Sequence, residues 1–261
     1  MSGYLTRRDP AMKLGVALGL SLLLVLVIDP ITPLVFLALA SIAALALGGM
    51  RAASLGRTLV PLLVVALGFV WTNAVFAVPR PGDVPVALGP FRASGSGLLF
   101  GLGIAMRGLA IGMLSIVAVR TSEPAALAVS LVRNARVPYR LAYALLAALR
   151  FFPFVGDEYQ QLGLARRMRG LAPRSPRARV EAFVGRIVPL LSDAARRATR
   201  LAVAMDARGF AGATVRTYYR ETPVTAADWL FVAVALAIAA AIIAAGAAGG
   251  WLRIWDGRFS A

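Results

Sequence analysis

Five apolar runs, each close to the length of a membrane crossing, constrain this chain more than any other feature. They occupy residues 14–28, 31–47, 59–78, 97–119 and 227–250. A helix rises about 1.5 Å per residue, so roughly 20 residues cross the ~30 Å hydrocarbon layer of a bilayer. Backbone in lipid must satisfy its own hydrogen bonds, and runs of this kind do so as helices. The expected fold is all-α: a polytopic membrane protein with about five transmembrane helices. Composition agrees. The chain is 59% hydrophobic and 15% charged, where a soluble domain carries about 45–50% apolar and about 25% charged residues.

Punctuation organises the runs. Asp29-Pro30 makes a helical hairpin of the first two. Pro61 falls near the start of the third, where proline is tolerated. Residues 79–94, rich in Pro and Gly, read as a loop. Trp229 and Trp251 flank the last run and suit the two interfacial belts. Arg7 and Arg8 ahead of the first run resemble a signal peptide, but no A-x-A-like cleavage site follows, and the run reads as a retained helix.

Arginine placement sets the orientation. Arg7, Arg8 and Lys13 precede span one, Arg51 and Arg57 separate spans two and three, and Arg120 follows span four. These places share one side, and by the positive-inside bias that side is the cytoplasm. The expected protein is a multi-pass protein of the cell membrane with a cytoplasmic N-terminus. Three regions follow: a membrane domain of four spans (1–120), a cytoplasmic helical region (121–226), and a fifth span with an external tail (227–261). The middle region holds seventeen arginines against seven acids, and it is too long for a passive connection.

Its clearest helix covers about residues 178–208. Val180, Val184, Ile187, Leu191, Ala194, Ala198, Leu201 and Met205 recur at steps of four and three, one apolar stripe along a helix. Leu191, Ala194, Ala198 and Leu201 are its candidate contact with a crossing helix or a membrane partner, since the alanines allow close approach. Pro189 is expected to kink it. A shorter helix is expected at about 157–169, with Asp157 and Glu158 at its positive N-terminal end.

Two stretches of this region repeat a pattern: A-x-x-x-R-G and then a large apolar residue, at 165–171 and 204–210. Glycine followed by an apolar residue makes a common helix end, and an arginine there complements the helix dipole. An arginine at a helix tip also offers a planar five-donor fork for a partner's carboxylate or carbonyl. Arg169 and Arg208, each followed by a glycine, are therefore candidate docking residues. Arg107, inside span four, is a costly intramembrane charge and a functional candidate. Gly97, Gly101, Ala105, Gly108 and Gly112 form a small-residue stripe on the same span, suited to helix packing within the chain or to a partner face.

Absences exclude whole classes of chemistry. The chain has no Cys and no His, which removes disulfides, Cys/His metal sites and the commonest general base. It has no P-loop pattern. No catalytic, cofactor or metal residue is expected.

Together these features resemble the transmembrane T component of energy-coupling factor (ECF) transporters. The matching residues are Thr121-Ser122, Arg150-Phe151-Phe152-Pro153, Arg169-Gly170 and, most specifically, the stretch Ala204-Met205-Asp206-Ala207-Arg208-Gly209-Phe210. The resemblance implies a non-catalytic subunit of an ATP-driven importer of a vitamin or transition-metal ion. It implies two cytoplasmic ABC ATPase subunits, which bind ATP and Mg, and a small membrane S component that binds the substrate. Met168-Arg169-Gly170 and Ala207-Arg208-Gly209 would be the two X-Arg-X docking motifs. Alternatives are a conventional ABC-type permease, a membrane enzyme acting on lipid, and a membrane-anchored basic scaffold. Nucleic acid is not an expected partner, because aromatic interleaving is sparse.

Overall fold

The computed structural model describes residues 3–76, 85–88, 91–135, 137–171, 175–210 and 224–252. Arg80, Asp83, Arg136, Arg174, Arg216, Arg220, Glu221 and the tail 253–261 lie outside the described residues. The chain divides into two compact units, Met1–Arg136 with Thr222–Ala261, and Val137–Glu221.

The first unit is built around one helix. α1 (Pro10–Leu26) starts at Asp9, whose carboxylate accepts the Met12 N–H at 3.0 Å, with Pro10 in the first turn. Asp29, one residue before the Pro30 N-cap of α2 (Ile31–Ala46), accepts the Thr32 N–H at 2.6 Å. α3 (Ala52–Phe76) begins earlier than its apolar run, so Pro61 lies well inside it. Within lipid-facing helices neighbouring groups re-satisfy the backbone that a proline frees. α4 (Gly95–Arg120) starts at Ser94, whose hydroxyl accepts the Gly97 N–H at 3.2 Å, and packs on α1, α2 and α3. Its small residues let α3 approach closely. A Cβ on Gly101 would lie 3.1 Å from the Val70 Cα, and one on Gly112 would lie 2.8 Å from the Leu62 Cδ1. Ala105 is buried beside Ala66. The stripe is thus filled from within the chain, although Gly108 meets nothing.

α8 (Ala226–Ala248) opens on a Thr225–Asp228 capping box and packs on α1 and α2. Leu24, Phe36, Ala110 and Ala239 form the core of these four helices. α3, α4 and α8 are long and apolar enough to cross a membrane, whereas α1 and α2 are apolar but only 17 and 16 residues long. The expected all-helical fold is present among the described residues, apart from a short hairpin, and three of the five expected spans meet the length and apolarity of a crossing. Within the expected loop 79–94, β1 (Pro85–Leu88) and β2 (Phe91–Ser94) pair antiparallel with Pro85 opposite Ser94. The Gly and Pro that suggested a loop flank two segments short enough to pair. α5 (Pro124–Asn134), which the apolar-run reading passes over, packs on α1.

The second unit is a helix pair, α6 (Tyr139–Met168) and α7 (Pro176–Ala207). α7 matches the expected long helix and continues through Pro189. α6 corrects the expected short helix at 157–169, because it begins at Tyr139. Residues 139–152 are mostly Ala, Leu and Arg, strong helix formers, and Pro153 sits inside the helix without ending it. Asp157 and Glu158 are therefore mid-helix residues and do not serve the helix N-terminus.

Candidate functional site

The two arginine-glycine stretches end α6 and α7 in one shared geometry. Arg169 is the C-cap of α6, and Gly170 has φ +74°. The Gly170 N–H donates to the Arg167 carbonyl at 3.0 Å, and the Leu171 N–H to the Arg166 carbonyl at 3.0 Å. Arg208 is the C-cap of α7, Gly209 has φ +77°, and its N–H donates to the Asp206 carbonyl at 2.9 Å. The Phe210 N–H donates to the Met205 carbonyl at 3.0 Å. Both are Schellman ends, with glycine supplying the left-handed residue that an L side chain resists. Met168, Arg169, Gly170, Ala207, Arg208 and Gly209 are all exposed.

The pairing of the helices sets these tips apart. Phe210, just past the second tip, packs edge-on against Tyr139 and Tyr143 at the start of α6, with ring centroids 5.4 and 5.9 Å away. The first tip is at the other end of α6, 30 residues on, which at the helical rise is roughly 45 Å. At that end the two helices exchange arginines over glycines. A Cβ on Gly185 would lie 2.9 Å from Arg166 Nη1, and one on Gly163 would lie 3.4 Å from Arg186 Nη1. Arg186 also lies over the Tyr159 ring, 4.7 Å from its centroid. Arg166 and Arg186 are thus held within the pair, whereas Arg169 and Arg208 stay on its surface.

Between the tips the pair encloses an open apolar groove, lined by Ala144, Ala147, Ala148 and Phe151 of α6 and by Ala194, Ala198 and Leu201 of α7. Three of the four expected stripe contacts meet there. Leu191 does not line it and is 64% exposed. One charged cluster belongs to the groove wall. Arg197 bonds Asp193 one turn earlier on α7 and also reaches Glu158 on α6 at 3.3 Å. The hydrogen bond from Arg197 holds the Asp193 carboxyl below its usual range, aided by the nearby charges of Arg197, Arg196 and Arg200. Sequence periodicity makes the Asp193–Arg197 pair legible from its spacing of four. It missed Glu158, because a contact 39 residues away leaves no periodic trace.

Arg107 belongs to the first unit. Its guanidinium donates to the carbonyls of Val25 and Val27, the last residues of α1 and its cap. The carbonyls that end a helix lack intrahelical donors, and Arg107 supplies them. Its charge serves a neighbouring helix end inside this unit. Among the described residues no group of acids could hold a metal ion.

Comparison with known proteins places these features in a family. The family model described as cobalt transport protein (CbiQ) matches residues 1–219. The energy-coupling factor transporter transmembrane protein EcfT of Bacillus subtilis is 28% identical over 246 residues, covering 91% of each chain. The protein of the same name from Leuconostoc gelidum is 34% identical over 143 residues, covering 51% of this chain and 53% of that one. The latter alignment therefore spans about half of that relative. A Bifidobacterium longum protein named as an ABC transporter ATP-binding protein is 31% identical over 192 residues, which are 70% of this chain but 24% of that protein. The chain belongs to the cobalt transport protein (CbiQ) family, the family of the transmembrane T components of energy-coupling factor transporters.

Proposed function

We propose that Met168-Arg169-Gly170 and Ala207-Arg208-Gly209 each dock onto one of two cytoplasmic ABC ATPase subunits. The helix pair α6–α7 then passes ATP-driven motion to a small membrane S component, for uptake of a vitamin or transition-metal ion. The observation that carries this reading is the pair of exposed arginine C-caps at opposite ends of one helix pair. Tips roughly 45 Å apart suit two separate bodies better than a single groove. ATP binding that draws two ATPase subunits together would move the tips relative to each other. A region of an ATP-binding protein that resembles this chain fits such an association. ATP and Mg would bind the ATPases, and this chain would be non-catalytic and bind no cofactor.

The apolar groove with Ala194, Ala198 and Leu201, with Leu191 beside it, is the proposed face for the S component. In this reading residues 121–226 and the N-terminus are cytoplasmic, α1–α4 and α8 lie in the cell membrane, and 227–261 ends outside.

Affinity capture of co-expressed ATPase subunits tests the docking. Truncating one side of a buried charged contact costs about 2–5 kcal/mol, but two tips on one dimer act together, so a single tip can still hold it. Arg169→Ala or Arg208→Ala should leave partial capture with poor transport, and the double variant should lose the ATPases. Plain capping predicts a stability loss on the order of 0.3–1 kcal/mol with capture unchanged, and full retention by the double variant would sink the docking reading.

A further inference from the structure

Polar side chains that docking leaves unused gather at one buried place in the first unit. Asp9, Lys13, Thr121, Ser130 and Asp228 are all 5% exposed or less. The Ser130 hydroxyl lies 2.7 and 2.6 Å from the two Asp9 carboxylate oxygens and donates to one of them, and the Asn134 amide donates to Asp9 at 3.0 Å. The Asp9 N–H donates to Asp228 Oδ1 at 3.1 Å. Asp228 Oδ2 accepts from the Thr225 N–H at 2.8 Å and from its hydroxyl at 2.7 Å. The Arg8 guanidinium stands 3.7 Å from Asp228, while the Lys13 ammonium donates to the Leu5 and Thr121 carbonyls at 2.9 and 2.7 Å. Two acids and Lys13 are therefore withdrawn from water together, each with hydrogen-bond partners, and Arg8 pairs with Asp228 as an ion pair while its Nε is buried without a hydrogen bond. Such a network is costly to build and costlier to break on one side.

Its position in the chain gives it a use. The second unit begins at Val137 and ends at Glu221. Within a few residues before the first boundary stands Asn134, and within a few after the second stands Thr225. Both are held in this network. Asn134, near the first boundary, and Thr225, near the second, are thus both tied to one point, the segment before α1.

We propose that Asp9 and Asp228 are positioning residues for transport: they clamp α5 and the first turn of α8 to the start of α1. ATP-driven displacement of α6 and α7 would then reach the membrane helices as motion of rigid elements, without being lost in tilting or fraying of α5. The proposal rests on the T-component reading, because it presupposes that displacement.

The test has two arms, both on the full chain in lipid nanodiscs. In the first, without ATPases, Asp228→Asn and Ser130→Ala should lower hydrogen-exchange protection in 124–134 and 225–229 roughly tenfold or more, as loss of a bond to a buried charge does. Exchange in α6 and α7 should not change. In the second, the chain is assembled with its ATPase subunits. Because it has no cysteine, spin labels at Ile42→Cys on α2 and Trp229→Cys on α8 report a clean distance. That distance should be the same with and without ATP in the parent chain, and should broaden on ATP addition in Asp228→Asn. Ser130→Ala retains both carboxylates and serves where Asp228→Asn fails to insert. Unchanged exchange in α5, or distance distributions that ATP leaves alike in parent and variant, would overturn the clamp. ATPases that fail to bind the parent chain would count against docking instead, and the exchange arm would still read the clamp.

Discussion

Arg169 and Arg208 show how one residue type is given different tasks by its neighbours. Arg166, three residues before the first tip, is drawn over Gly185, and Arg107 is spent on the end of α1. The two C-cap arginines stay on the surface. Lysine at both tips should restore ATPase capture only in part, since it keeps the charge and loses the planar fork. Gly170→Ala meets no atom within 4 Å but holds φ at +74°, so it should cost about 1 kcal/mol by strain alone. Arg107→Leu leaves the α1 carbonyls without donors and should lower stability by about 1–3 kcal/mol. Thermal unfolding in mild detergent checks both. The same assay separates two glycines of α4. Gly101→Val should destabilise by about 1–3 kcal/mol through overpacking, whereas Gly108→Ala should be neutral or mildly stabilising, because nothing lies against it.

At the scale of elements, α7 carries an apolar stripe whose middle is left open by the described residues of its own unit. Ala194 and Ala198 are exposed along the groove. Ala198→Leu should therefore leave the fold of the isolated chain within about 0.5 kcal/mol and weaken assembly with the S component. Loss of folding without the partner would show that the groove is closed. Leu191→Glu should also be tolerated by the isolated chain, since Leu191 is already in solvent. The link across the pair is Glu158–Arg197–Asp193. Asp193 has a folded pKa below its unfolded one, so its contribution is present above the unfolded carboxylate range, about pH 3.9, and fades as pH falls through the folded value. The stability difference between the parent chain and Asp193→Asn should be flat from pH 8 to about pH 5 and shrink only at acid pH, as pH falls through the lowered folded value. Denaturant midpoints across that range measure it, and a difference already lost at neutral pH would assign the effect to another group.

For the whole molecule, the membrane orientation is the most direct test of the reading. A chain without cysteine permits single-site labelling. Ser175→Cys, at the start of α7, should react with an impermeant thiol reagent only after permeabilisation, and Trp251→Cys, past the end of α8, should react on intact cells. The reverse pattern would invert the topology and place both arginine tips away from any cytoplasmic ATPase. The positive-inside bias that motivates this rests on the basic residues flanking the spans.

The sequence alone determined what depends on period and length. Membrane insertion followed from apolar runs, α7 from steps of four and three, and the two helix ends from arginine followed by glycine, because each signal is local and the backbone responds to it locally. It failed where local signals conflict. The paired acids Asp157 and Glu158 suggested a helix start that the preceding Ala- and Leu-rich residues overrode, and the Pro- and Gly-flanked loop concealed a short hairpin. Only tertiary structure decided which arginines are spent inside the fold and which stay free. It also joined Glu158 to Arg197, and Asp9 to Asp228 across 219 residues. Such bonds arise from helices packed side by side, and no periodicity along the chain encodes which of its faces will meet.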